Sequence, residues 1–192
     1  MEFGGRYRVS EDQAHRVGFT AFDATSGRAF VGAAELPRSI RDLWLPRHSQ
    51  IMMVELFAPV LAALALPQVL RNRRVILLVD SEAAEGAIVK GSSSKEDINA
   101  LAARFWEVAM DLRADIYVDR VPTDGNLADG PSRGCCGPLV DAGAQMVRPP
   151  VYARPLQTGG RSAPPLPPGA PPLASLTPAR LIGIVGIFKA FA

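Results

Sequence analysis

Prolines divide this chain. Ten of its seventeen prolines fall between Pro149 and Pro178. Proline has no backbone N–H and a locked φ, so such a stretch holds neither a helix nor a central strand. Composition changes after about residue 134, and residues 135–192 read as an extended, disordered tail. A folded domain is therefore expected from residues 17–134, behind a polar segment at 1–16. Hydrophobic residues make up 48% of the chain, enough for a core if that part folds.

Within 17–134 the pattern is α/β. Val17 to Phe22 and Arg28 to Glu35 are apolar runs around Asp23-Ala24-Thr25-Ser26-Gly27, turn chemistry that predicts a β-hairpin. Ile51 to Leu66 has the length and composition of a buried helix, bent or interrupted at Pro59. Val75 to Val79 reads VILLV, a strand expected to be buried on both faces because it does not alternate. Ser81 to Val89 predicts a short helix and Lys95 to Leu112 a longer one, with Ile98, Leu101, Phe105 and Val108 at helical spacing. Asp115 to Val118 predicts a short strand, and Asn126 starts a last helical or turn segment. No internal repeat is visible.

Charge and cysteines exclude some functions. The net charge is +2, so any basic surface for nucleic acid must be local. The only cysteines, Cys135 and Cys136, are adjacent, a spacing that rarely reaches disulfide geometry. That favours a reducing, intracellular setting, cytoplasmic or nuclear. The polar N-terminus is no signal peptide. The apolar runs are too short or too charged to span a bilayer, so no membrane partner is expected. His15 and His48 have no Cys or His at metal spacing, which argues against zinc.

Three acids occupy unusual places. Glu55 sits inside an apolar helix, among Met52, Met53, Val54, Leu56 and Phe57. Asp80 ends the strand VILLV, where α/β folds place ligands. Asp129 follows Asn126, a candidate helix cap. A carboxylate in apolar surroundings is costly unless it is paired, protonated or bound to a cation. Converging carboxylates repel one another, and Mg²⁺ removes that penalty. Taken singly, each acid is as easily a loop, cap or exposed-face residue. Their order and surroundings together carry the argument.

The segment ILLVDSEAAEGAIVKGSSSKEDINALAARFWEVA, followed by RVPTDGNLADGPSRG, resembles ribonuclease H domains of retroelement reverse transcriptases. It is most similar to those of tyrosine-recombinase-type retrotransposons and their protist relatives. The matching marks are Asp80-Ser81, the connection Gly91-Ser92-Ser93-Ser94, Val121-Pro122, Asn126, Ala128-Asp129 and Ser132-Arg133. Upstream, IMMVELFAPVLAAL resembles the helix with the family's catalytic Glu, which falls on Glu55. The resemblance implies a ribonuclease H-like mixed sheet flanked by helices and hydrolysis of the RNA strand of RNA/DNA hybrids. It implies Glu55, Asp80 and Asp129 as catalytic and metal-binding residues for two Mg²⁺ ions, with Mn²⁺ as a substitute. It also implies a polymerase domain as partner in a full-length element. The hybrid would be held through backbone and 2′-hydroxyl contacts, with Arg71, Arg73, Arg74, Lys90 and Lys95 as candidates for phosphate contact.

The sequence departs from that pattern at one place. The family's first acid stands on an opening strand before the hairpin and bridges the metals. Nothing before Val17 reads as an apolar strand ending in Asp. Either that strand is missing, as in an N-terminally truncated domain, or Asp23 supplies the acid. The hairpin reading makes Asp23 a turn residue. An inactive remnant that binds nucleic acid or supports a neighbouring domain is the alternative to an active nuclease.

Overall fold

The computed structural model describes residues 15–47, 49–150 and 184–191, the last stretch by its backbone alone. The N-terminal segment, His48 and most of the Pro-rich stretch lie outside the described residues.

The chain is mixed α/β. β1 (Arg16–Asp23) and β2 (Arg28–Glu35) form the expected hairpin, antiparallel with Asp23 opposite Arg28. The Asp23 carboxylate organises its loop. Oδ1 accepts from the Thr25 N–H at 3.0 Å and Oδ2 from the Ser26 hydroxyl at 2.8 Å. Gly27 closes the loop at φ +66°, a conformation cheap only without a Cβ.

After α1 (Arg38–Arg41) comes α2 (Ile51–Ala65), rich in the helix formers Met, Leu and Ala. It runs on through Pro59 as one helix, and ten of its residues are buried. Pro59 has no N–H to give the carbonyl four residues back, that of Glu55. Tertiary burial outweighs that lost bond. α3 (Pro67–Leu70) leads into β3 (Arg74–Val79).

The crossover from β3 to the parallel strand β4 (Asp115–Arg120) carries α4 (Glu82–Lys90) and α5 (Glu96–Leu112). Ser81 caps α4, its hydroxyl accepting from the Ala84 N–H, and Gly91 at φ +62° ends it. A 3₁₀ turn (Thr123–Gly125), α6 (Asp129–Ser132), α7 (Gly137–Asp141) and the two-residue β5 (Gln145–Met146) follow. β6 (Ile184–Phe191) completes a six-stranded sheet in the order β4-β3-β6-β1-β2-β5.

β6 lies between the two halves of the chain's earlier sheet. It runs antiparallel to β1 and parallel to β3. Helices α2, α4 and α5 pack together, and α2 also lies against β1 and β6. The core joins Val17, Phe19 and Ala21 of β1 and Val75, Leu77 and Val79 of β3 to Leu56, Phe57, Leu101 and Phe105 of the helices. Gly32 leaves room for the Phe19 ring on the neighbouring strand, where an added Cβ would stand 2.3 Å from the ring. On the other face a small second cluster joins Val31, Cys136 and Ala144.

Two expectations need correction. β3 is not buried on both faces: Ile76 is 39% exposed while Val75, Leu77 and Val79 are buried. Phe22, Ile76 and Tyr117 share one register row across the sheet through Val185, and all three are exposed. Helices cover the opposite face at that level, so the apolar run VILLV carries more hydrophobic surface than its helices hide. The described fold also extends past residue 134. Cys136, Leu139 and Ala144 pack against β2 residues, and the Val147 N–H donates to the Val31 carbonyl. The proline-dense residues 151–183 lie outside the description, whereas 184–191, free of proline, form β6.

Candidate functional site

Strand β3 delivers Asp80 to the carboxyl end of the sheet. Val79, the last residue of β3, pairs with Phe188 of β6, which pairs in turn with Phe19 of β1. One residue further on, Asp80 is followed by the α4 cap Ser81. The position level with Asp80 on β6 is Lys189, which pairs with Gly18 of β1.

Asp129 reaches the same end by another route. α6 crosses β1 and β6 so closely that a Cβ on Gly18 would stand 2.3 Å from the Ser132 backbone nitrogen. The glycine is what admits this helix onto the sheet. Asp129 opens α6, and both of its carboxylate oxygens accept from Arg133 Nε, at 3.2 and 3.1 Å. The Asp129 side chain is 37% exposed and the Arg133 side chain 51%, so the pair is partly screened by water.

Asn126 is buried, as a structural residue would be, but it is not the cap of α6. Its side-chain oxygen accepts from the Ala128 N–H at 2.9 Å, and its carbonyl accepts from the Asp129 N–H. It shapes the turn that presents Asp129, a local side-chain-to-backbone bond of the kind Asn makes readily.

Glu55 is half-buried on α2, between the fully buried Val54 and Leu56. Asp80 and Asp129 thus share one end of the sheet, with β6 in register between them. Among the described residues, no group of three or more His, Cys, Asp or Glu side chains stands where it could hold a metal ion.

Asp23 lies elsewhere. It pairs with Ile184, level with Val75 at the amino end of β3. Burial raises its pKa, but the Ser26 hydroxyl, the Thr25 N–H and the Arg73 guanidinium outweigh that and hold it below the usual carboxylate value. It is a turn residue, as the hairpin reading requires.

The basic candidates are spread out. Arg71 donates to the Asp111 carbonyl at 3.2 Å, Arg73 lies 3.5 Å from the Thr25 hydroxyl, and Arg74 pairs with Asp115 at 3.2 Å. All three stand at the amino end of β3, the end away from Asp80. Lys90 ends α4 and Lys95 caps α5, both exposed.

One buried ionic pair has no mark in the sequence. Asp97 in the first turn of α5 is 8% exposed, and its Oδ1 accepts from Arg47 Nη2 at 2.5 Å. Oδ2 accepts from the Leu45 N–H at 2.9 Å. Burial pushes the Asp97 pKa up, but hydrogen bonds from Arg47 and Leu45 and the Arg47 charge bring it below the ordinary value. The pair ties the loop before α2 to the start of α5. An acid in a first helical turn usually faces solvent, so only the loop's path reveals the burial.

No helix among the described residues is long and apolar enough to cross a membrane. Comparison of the chain with known protein families, with curated proteins and with solved structures returned no match.

Proposed function

We propose that this chain is a ribonuclease H-like module of a retroelement reverse transcriptase that binds RNA/DNA hybrid without cleaving it efficiently. The motif order from Glu55 through Asp80 to Ser132-Arg133 supports the family reading. So does an α/β sheet with Asp80 at a strand's carboxyl end. β6 is then taken as the stand-in for the opening strand that the resemblance calls for before the hairpin.

The observation that carries the non-cleaving half is the register position beside Asp80. The family's pattern requires an acid on the opening strand to bridge two metals, and this chain has Lys189 on β6. Lysine is not among the oxygen-donor residue types that such a two-metal site takes as ligands. Asp23 cannot substitute from the far end of the sheet, and Arg133 already engages Asp129. The residues present therefore do not fit a two-Mg²⁺ centre. In this reading the Asp80 and Asp129 end faces the hybrid without a metal pair. Arg71, Arg73 and Arg74 at the opposite end of β3, with Lys90 and Lys95, are the candidates for phosphates further along the duplex, and a polymerase domain remains the expected neighbour.

The test combines binding and cleavage. Fluorescence anisotropy of a labelled RNA/DNA hybrid should show binding without added Mg²⁺ that weakens as salt rises. The RNA strand should stay intact with Mg²⁺ or Mn²⁺. Absence of hybrid binding would overturn the module reading. The presence of Glu55, Asp80 and Asp129 favours a second reading, residual metal-dependent cleavage. Cleavage by the unaltered chain that disappears in Asp80→Asn would establish that reading instead.

A further inference from the structure

The centre of the sheet is filled by the strand that comes last in the chain. Among the described residues, β1 pairs only with β2 and β6, and β3 only with β4 and β6. Without β6 the sheet has two inward-facing edges, one on each side of a slot one strand wide. α2 forms the floor of that slot, packing against β6 and β1. Both edges expose rows of N–H and C=O groups, a template for strand addition.

β6 is held in the slot by contacts with elements far away in sequence, the strands β1 and β3 and the helices α2 and α6. Every ladder it makes is to β1 or β3, far away in sequence, and no disulfide anchors it. Residues 151–183 connect it to the described chain. At roughly 3.3 Å per extended residue, that connection can reach on the order of 100 Å. That length also lets the strand reach the slot of a neighbouring molecule when chain concentration is high enough to compete with its own slot.

We propose that the slot between β1 and β3 exchanges its strand between copies, so that residues 184–191 of a second copy seat there and give a strand-swapped dimer. The exchanged strand makes the same ladders as the original, so swapping costs little free energy once two copies are close. The dimer-to-monomer ratio then follows mass action, rising about tenfold for each tenfold rise in chain concentration at low conversion. The inference does not depend on nucleic-acid binding.

Cysteine pairs test it in the full chain, with Cys135→Ser and Cys136→Ala as background. Ala21 and Gly186 are direct partners across β1 and β6, a separation within disulfide reach. Ala21→Cys and Gly186→Cys together in one chain should close an intrachain disulfide on mild oxidation. Mixing a chain carrying only Ala21→Cys with one carrying only Gly186→Cys should give an interchain disulfide, absent from either chain alone and increasing with concentration. Thr20→Cys with Ile187→Cys, another paired position, repeats the experiment should the first pair not fold. Intrachain closure without any interchain product at the highest soluble concentration would overturn the exchange. Failure of both folded pairs to form any disulfide, intrachain or interchain, would overturn it too, because the slot register would then be wrong. No nucleic acid enters the readout, so this result and the hybrid-binding result stand apart.

Discussion

Asp23 and Asp80 stand at opposite ends of the same sheet. Asp23 is level with Val75 through Ile184, and Asp80 follows Val79, so five residues separate their levels. At roughly 3.3 Å per residue that is about 16 Å along the strands, beyond any shared metal. Asp23→Ala should therefore leave hybrid affinity within about twofold of the unaltered chain. It should lower stability by about 1–2 kcal/mol, the ordinary cost of losing hydrogen bonds in a partly buried turn. Anisotropy and urea unfolding on the same samples measure both. A large loss of affinity in a fully folded variant would place Asp23 in the site.

Gly18→Ala tests the close approach of α6 to the sheet. The new methyl would meet the Ser132 nitrogen and Pro131, backbone groups that cannot swing away. The expected loss is about 1–3 kcal/mol, typical of overpacking. Gly86→Ala is the control, because nothing lies within 4 Å of an added Cβ there. It sits inside α4, where alanine is favoured over glycine by about 1 kcal/mol, and should stabilise the chain. Equal effects of the two substitutions in urea unfolding would mean that α6 does not rest on Gly18.

The Asp97–Arg47 pair predicts a pH dependence. The folded-state pKa of Asp97 lies below its ordinary value of about 3.9, so the unfolded chain takes up the proton first. The pair's contribution is complete above about pH 4 and is lost as pH falls through the folded value. Asp97→Asn should cost about 1.5–3 kcal/mol at neutral pH, the range for hydrogen bonds to a charged group. The difference between the two chains should shrink below about pH 4. Thermal melts from neutral to acid pH would show it, and a constant difference would refute the assignment.

The adjacent cysteines should react unequally. Cys135 is exposed and Cys136 is buried. Burial, reinforced by the neighbouring Cys135, pushes the Cys136 thiol pKa up, which lowers its thiolate fraction. Iodoacetamide at mildly alkaline pH should label Cys135 first, with Cys136 labelled at a comparable rate only after denaturation. Peptide mass mapping over time reads this directly. Equal native rates would show that α7 does not shelter Cys136.

Much of the fold is legible in local pattern. The hairpin, both crossover helices and β4 lie within a few residues of where periodicity and turn chemistry put them. Ser81 and Gly91 announce the ends of α4 by capping chemistry. The acids at positions 55, 80 and 129 stand out because charge in apolar surroundings is visible in a string of letters. Pro59 misleads, because a proline looks like a helix end until burial on all sides holds the helix together.

What the sequence by itself determined is which segments form helices and strands, since that follows from the period of apolar residues and from turn and cap residues nearby in the chain. Only the tertiary structure decided where those segments lie relative to one another. It set β6 in the middle of the sheet, Phe188 opposite Val79, Asp23 at the far end from Asp80, and Asp97 against Arg47. Each of these joins residues distant in sequence. Their pairing is fixed by shared burial and backbone hydrogen bonding across the sheet, which leave no periodic trace along the chain.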